Sequence, residues 1–211
     1  MKFLSLSALL LVSGAAFADS IDFNFVSDPS GAKIRFDGGA ARSVQFGEGS
    51  NGFDFVISHA NVTSLTGLRG NIDGVFNIGA ISTLGSLQTA PVTGTGKLRL
   101  SDGVGELVGD VFWSNISSFG TTLGLNVDGV INITNLQYTG SNAGLQAMKA
   151  KSEHRMTIST QFIPAKSLNQ LMAAANPNVN TYSGTYNAVP EPATLAALGL
   201  GLAAAMRRKR K

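Results

Sequence analysis

The two histidines, His59 and His154, are the side chains best suited to acid–base catalysis, and each would need an oriented acid and a nucleophile nearby. Serine is so frequent in this chain that a Ser-His-Asp combination can be drawn without being selective. The Gly-x-Ser-x-Gly turn that presents a nucleophilic serine is incomplete around Ser50, because Glu48 occupies its first glycine position. The sequence therefore defines no catalytic triad, and we predict that the protein is not an enzyme.

Carboxylates are the second possible source of chemistry. The glutamates that precede residue 191 are Glu48, Glu106 and Glu153. Nothing in their spacing marks a glycosidase pair. Aspartates beside glycines, which could donate oxygens to calcium, are Asp73, Asp102 and Asp128. We expect ordinary turn chemistry there, because aspartate in a turn hydrogen-bonds to its own backbone; calcium binding stays open as an alternative.

Cysteine is absent, which excludes disulfides, thiolate metal sites and a cysteine nucleophile. The sequence contains no His-Glu-x-x-His motif, no EF-hand loop and no nucleotide-binding loop. We therefore predict that the protein has no cofactor and no metal.

Trp113 is the only tryptophan and the first candidate for a sugar contact; the other candidates are Tyr138, Tyr182 and Tyr186. An exposed indole ring can stack on the C–H face of a sugar, whereas a tryptophan in an alternating strand more often belongs to the core. Exposure of Trp113 beside a groove would favour a carbohydrate-binding module, and burial would count against one.

Short segments of alternating apolar and polar residues would have to position these side chains. The clearest are Ile21–Phe25, Phe53–Ile57, Leu98–Leu100 and Met156–Phe162. Alternation with period two indicates strands with one buried and one wet face. Many such strands separated by turn residues predict an all-β domain, an antiparallel β-sandwich with a jelly-roll-like arrangement.

Turn and cap residues refine this prediction. Asp102-Gly103 predicts a hairpin, because the pair supplies the positive φ angles of a tight turn. Apolar residues at helical spacing follow a possible N-cap at Ser141 or Asn142 and another at Ser167, which predicts one or two short helices. Polar residues alternate with glycine, tyrosine and alanine in segment 183–189, which predicts a last strand.

Two eight-residue segments, 71–78 and 126–133, share six identical positions. A duplicated pair of ligand-binding loops is one interpretation. We favour two similar strands that each contain a glycine bulge, or two hairpin turns.

The N-terminus has the three parts of a secretory signal peptide. Lys2 provides the charge, residues 3–12 form the apolar core, and Ala16 and Ala18 form the small-x-small site. We expect signal peptidase to cut after Ala18, following export by the Sec machinery. The apolar run is too short for a typical transmembrane helix of about 20 residues.

The C-terminus has a second tripartite pattern. The segment Val189-Pro190-Glu191-Pro192 is followed by an uncharged stretch from Ala193 to Met206 and by the basic tail Arg207, Arg208, Lys209, Arg210 and Lys211. Fourteen helical residues reach about 21 Å, so this helix would cross a membrane only with local thinning or snorkelling flanks. The basic tail predicts that the C-terminus stays in the cytoplasm and that the middle of the chain lies outside.

These residues closely resemble the PEP-CTERM sorting signal. The resemblance covers residues 189–211, about a tenth of the chain, and it implies that the protein is a substrate of exosortase in a Gram-negative bacterium. It also implies that Pro190, Glu191 and Pro192 are the recognition residues. Two prolines fix φ and hold the segment extended, a conformation that a protease-like cleft can bind. The resemblance does not extend to the exported domain.

The predicted organisation is a signal peptide (1–18), an exported β-sandwich domain (19–188) and a sorting signal (189–211). The formal charge is +3, but residues 19–190 hold ten Lys and Arg against twelve Asp and Glu, a net charge of about −2. This excludes the basic stripe that nucleic-acid binding requires.

We therefore expect a protein that is briefly anchored in the inner membrane and then released to the cell surface or extracellular matrix. Its β-domain would have a structural or interaction role, with exopolysaccharide as a partner. The alternatives are an exported hydrolase with a site dispersed in sequence and a carbohydrate-binding module.

Overall fold

The computed structural model describes residues 20–50, 52–121 and 124–189, which contain nearly the whole predicted β-domain. The predicted signal peptide, the Pro-Glu-Pro motif, the apolar C-terminal helix and the basic tail lie outside these residues. Within the described ranges, no helix is both long enough and apolar enough to cross a bilayer.

Antiparallel strands make up most of the described residues. The first seven strands are β1 (Ile21–Ser27), β2 (Lys33–Asp37), β3 (Ser43–Glu48), β4 (Phe55–Ala60), β5 (Arg69–Gly74), β6 (Phe76–Ile78) and β7 (Ser82–Leu84). The next seven are β8 (Leu87–Thr93), β9 (Thr95–Ser101), β10 (Glu106–Thr121), β11 (Gly124–Gln137), β12 (Glu153–Phe162), β13 (Asn178–Asn180) and β14 (Ser183–Val189). The helices are a 3₁₀ turn (Thr63–Leu65), α1 (Ala143–Lys149) and α2 (Leu168–Ala173).

Eight of these strands form a closed antiparallel barrel, in the order β1, β4, β5, β9, β10, β11, β12, β14 and back to β1. The all-β prediction is confirmed, whereas the predicted sandwich is replaced by a barrel with additional strands. Closure depends on the long strand β11, which pairs with β10 on one side and with β12 on the other. A sandwich would leave strand edges in each sheet, and closure removes the edges of these eight strands.

The remaining strands form an additional sheet in the order β13, β2, β3, β6, β8, and β7 pairs with β8. This second sheet is continuous with the barrel because both include strand β10. The first half of β10 pairs with β9, and its second half, from Asn115 to Phe119, pairs with β8. The register of β10 against β11 shifts between Trp113 and Asn115, at the point where β10 changes partner. One bulge therefore redirects the strand from the barrel into the second sheet.

The two similar segments occupy different structural positions. Segment 71–78 spans the end of β5 and all of β6, and Gly74 adopts φ +138° at the break between them. Segment 126–133 runs unbroken inside β11. There, a Cβ on Gly129 would lie less than 3.0 Å from the indole of Trp113. The shared glycine thus permits an interruption between two strands in one copy and close packing of an aromatic ring in the other. Neither copy forms a ligand-binding loop.

Buried side chains fill the barrel interior, as the alternation predicted. Phe23 stacks on Tyr186 with ring centroids 4.5 Å apart, and Phe25 packs on Phe55 with centroids 5.0 Å apart. The second sheet covers one end of the barrel, where Phe36 contacts Phe162 edge-on.

The helices cover other parts of the core. The 3₁₀ turn and α1 lie at the opposite end of the barrel and bury Leu65, Leu145 and Met148. Asn142 caps α1, and Ser167 caps α2 in a reciprocal capping box with Gln170, so the predicted caps are confirmed.

Candidate functional site

The junction between the barrel and the sorting segment is the first candidate site. Strand β14 lies between β1 and β12 and ends at Val189. The Val189 carbonyl accepts hydrogen bonds from the backbone N–H (3.3 Å) and the hydroxyl (3.4 Å) of Ser152. Ile21 pairs with Ala188 across the β1–β14 ladder. The start of β1 and the end of β14 therefore lie side by side, at the end of the barrel that carries α1.

His154 is buried at this same end and is part of the fold. Its Nδ1 lies 2.7 Å from the Tyr186 hydroxyl, and its Nε2 lies 3.0 Å from the Lys151 carbonyl. A carbonyl only accepts, so Nε2 carries the proton and Nδ1 accepts from Tyr186. Burial lowers the pKa of His154, although the Lys151 carbonyl partly opposes this shift. Burial also raises the pKa of Tyr186. Both groups are thus neutral hydrogen-bonding partners at neutral pH.

The lowered pKa of His154 predicts a pH-dependent stability. Well above pH 6.5 the imidazole is neutral in both the folded and the unfolded chain, so His154 does not lower the free energy of unfolding there. As the pH falls below that value, the unfolded chain takes up a proton that the folded protein resists, and the free energy of unfolding decreases. Urea unfolding from pH 8 to pH 5 measures this loss. It should be smaller in His154→Gln and unchanged in His59→Gln; an equal loss in all three proteins would contradict the assignment.

The other predicted catalytic and metal-binding residues do not converge. His59 is exposed on β4, and in the ring order β1 and β14 separate it from His154 on β12. Asp73 pairs with Arg99 at 2.8 Å. Asp102 binds the Tyr138 hydroxyl and two backbone N–H groups of its own turn. Among the described residues, no group of three or more His, Cys, Asp or Glu side chains could hold a metal ion.

Asp54 is a buried carboxylate that sequence patterns did not single out. Its Oδ2 accepts the N–H of Ile72 at 2.8 Å, and its backbone carbonyl accepts from the Tyr182 hydroxyl at 3.0 Å. Burial raises its pKa, and the hydrogen bond from Ile72 opposes the shift. The carboxylate fills the space beside Gly47, where a Cβ would collide with it. Asp54 therefore joins β3 of the second sheet to β5 of the barrel.

The candidate sugar contact at Trp113 is wrong, because the side chain belongs to the core. It is 3% exposed, and its ring packs against Phe46 and Phe76 with centroids 5.8 and 5.6 Å away. Its Nε1–H donates to the Asn115 carbonyl at 2.7 Å. With the indole enclosed and its donor satisfied, the ring cannot stack on a ligand.

The outer surface of the barrel carries a band rich in hydroxyl and amide side chains that sequence reasoning missed, with the charged residues Arg155 and Asp22 in the same rows on either side of Asn187. We call it the threonine–asparagine face; it consists of Asn24, Thr185, Asn187, Thr157 and Asn132. These residues are exposed and lie on the neighbouring strands β1, β14, β12 and β11. The hydroxyls of Thr157 and Thr185 are 2.6 Å apart. The signal was present in the polar positions that alternate with the core residues.

Ion pairs are concentrated on the opposite strands of the barrel. Arg99 on β9 pairs with Asp73 and Glu106, and Lys97 pairs with Asp110. These pairs neutralise one another, so this surface offers little net charge to a ligand. The two sides of the barrel therefore differ in chemistry.

Comparison with known proteins adds to this picture only at the C-terminus. A family model described as the PEP-CTERM protein-sorting motif matches residues 188–211. This motif implies an exported protein that exosortase processes and that is transiently anchored in a membrane. No curated protein and no solved structure matches the chain.

Proposed function

We propose that this chain is a non-enzymatic surface or matrix protein of a Gram-negative bacterium, whose barrel binds exopolysaccharide through the threonine–asparagine face. The sorting motif delivers the domain to the outside of the cell. The observation that carries the binding proposal is the face itself, which presents hydroxyl and amide groups across four neighbouring strands.

The chemistry of the face suits a sugar polymer. Threonine hydroxyls and asparagine amides both donate and accept hydrogen bonds, as sugar hydroxyls do. Neutral groups also lose less hydration energy on binding than charged ones. Neighbouring strands lie about 4.8 Å apart, so the side chains form regularly spaced rows along which an extended chain can lie.

An exported hydrolase is the alternative from another class. It would require a nucleophile or paired carboxylates beside a general base. The two histidines lie on strands that are separated by β1 and β14, and both ring nitrogens of His154 already have hydrogen-bond partners. A carbohydrate-binding module built on a tryptophan platform is disfavoured by the burial of Trp113. The proposal therefore rests on hydrogen bonding by an open face and not on an enclosed site.

Affinity electrophoresis of the processed protein in gels that contain neutral exopolysaccharide tests this function. We expect the polysaccharide to retard the protein. Thr157→Glu/Thr185→Glu should remove most of the retardation, because it replaces two hydroxyls that donate and accept hydrogen bonds with strongly hydrated carboxylates that only accept. Thr95→Glu, on the exposed side of β9, is the matched control and should keep it. No retardation of the unaltered protein, or equal retardation of all three, would contradict the proposal.

A further inference from the structure

A groove of about 460 Å³ opens at the end of the barrel that the second sheet covers. It lies between the end of β12 with the loop that follows it and strand β13. We call it the Lys166 groove, and its lining includes Gln161, Phe162, Ile163, Lys166, Asn178 and Val179. Its wall combines polar groups with the apolar side chains of Phe162, Ile163 and Val179.

Asn178 holds an unused hydrogen-bond donor in the wall of this groove. The residue is 7% exposed, and its Oδ1 accepts from the Lys166 ammonium. Its buried Nδ2 has no hydrogen-bond partner. Exchanging the two amide atoms would not remove the deficit, because Nδ2 would then face the ammonium, which is itself only a donor. The amide is thus held in an orientation that leaves one buried donor without an acceptor.

Lys166 is a cation without a carboxylate partner. Its ammonium lies 5.9 Å from the centroid of the Phe162 ring and contacts Asn178, and no acidic side chain of the described residues forms an ion pair with it. The groove therefore holds a positive charge that the protein does not neutralise, in a domain whose net charge is about −2.

We propose that the Lys166 groove binds the carboxylate of an acidic sugar unit, such as a uronate in a polysaccharide chain. The carboxylate would accept hydrogen bonds from the Lys166 ammonium and from the Asn178 amide, whose buried Nδ2 a rotation of the side chain would bring to the groove. The ligand would then supply the acceptor that Nδ2 lacks. The apolar C–H face of the sugar would rest on Val179 and Ile163, and Ile163 is 90% exposed beside the groove. This inference rests on the proposed function, because it assigns the acidic units of the bound polymer to a second place on the same domain.

Calorimetric titration of the processed protein with trigalacturonate, and with its neutral methyl ester, tests the proposal. We expect trigalacturonate to bind and the ester to bind more weakly. Lys166→Gln should weaken trigalacturonate binding on the order of tenfold, the value of one charge-assisted hydrogen bond. Lys33→Gln is the matched control, because Lys33 is exposed on β2 outside the groove, and it should leave the affinity within about twofold.

A second variant tests the role of the amide. Asn178→Asp would place a carboxylate beside Lys166 and should block trigalacturonate binding as strongly as Lys166→Gln; a circular dichroism spectrum matching the unaltered protein shows that it folds. Equal binding by Lys166→Gln and the unaltered protein would overturn the groove assignment. If neutral exopolysaccharide still retards the protein in that case, the proposed function stands; if neither polymer binds, both fail. Tighter binding of an acidic peptide than of trigalacturonate would overturn the sugar assignment.

Discussion

Replacement of Pro190 and Pro192 by alanine is expected to leave the whole C-terminal tail on the exported protein. Two prolines restrict a segment to extended conformations, and alanine would allow the predicted C-terminal helix to continue toward Val189. β14 ends at Val189, so the motif begins directly after the folded barrel. A helical segment at this place would present no extended chain to exosortase. Intact mass of the protein recovered from the membrane, cell surface and medium measures the outcome.

The matched control is Thr194→Ala, which lies just beyond the motif and leaves both prolines in place. This variant should be processed like the unaltered protein, starting at Asp19 and losing the basic tail. A host strain that lacks exosortase should reproduce the mass of the double proline variant. If the double variant loses its tail normally, the motif residues are not the recognition element.

Phe25→Ala is expected to cost about 3–5 kcal/mol of unfolding free energy, the usual range for removing a buried phenylalanine. The side chain is fully buried inside the barrel and contacts the rings of Phe55, Phe23 and Tyr182. It also lies over Gly184 of β14, where no Cβ could fit beside the ring. Truncation therefore leaves a cavity where β1 meets both of its neighbours. Urea unfolding of the processed protein measures the change.

The adjacent residue is the natural control. Val26 is 40% exposed on the outer face of the same strand, and Val26→Ala should change stability by no more than about 0.5 kcal/mol. Comparable losses for Phe25→Ala and Val26→Ala would mean that the barrel does not separate an inner from an outer face as described.

The individual strands could be predicted from local patterns, but their assembly could not. Alternation correctly assigned Phe23, Phe25, Met156 and Ile158 to the buried face, because it depends only on the direction of successive side chains. Closure into a barrel depends on which distant strands pair. The pairing of β1 with β14 joins the two ends of the domain, and no local pattern encodes it. A sandwich and a barrel therefore share the same strand signals.

The two similar segments show the same limit at the level of single residues. Gly74 and Gly129 occupy equivalent places in nearly identical sequences, yet only Gly74 adopts a positive φ. At Gly129 the missing Cβ leaves room for the indole of Trp113 from the neighbouring strand. Two nearly identical local sequences therefore adopt different conformations among different tertiary neighbours.

The candidate sites followed a similar division. The sorting motif is linear, so sequence alone was sufficient to find it and the family model confirms it. The Lys166 groove depends on Asn178, which no sequence motif marked as a site. Its Nδ2 is buried without a hydrogen-bond partner because β13 and the loop after β12 pack together in the folded domain.

The position of β14 also determines how the domain would respond to mechanical force. This strand is flanked on both sides by β1 and β12, and its ladder hydrogen bonds run roughly perpendicular to its length. If the tail is held in the membrane while a bound polymer pulls on the domain, as proposed, the load enters the barrel at Val189. A load along the strand axis would shear the hydrogen bonds of both ladders together instead of opening them one after another. The attachment point would then resist mechanical unfolding better than an edge strand, which is paired on one side.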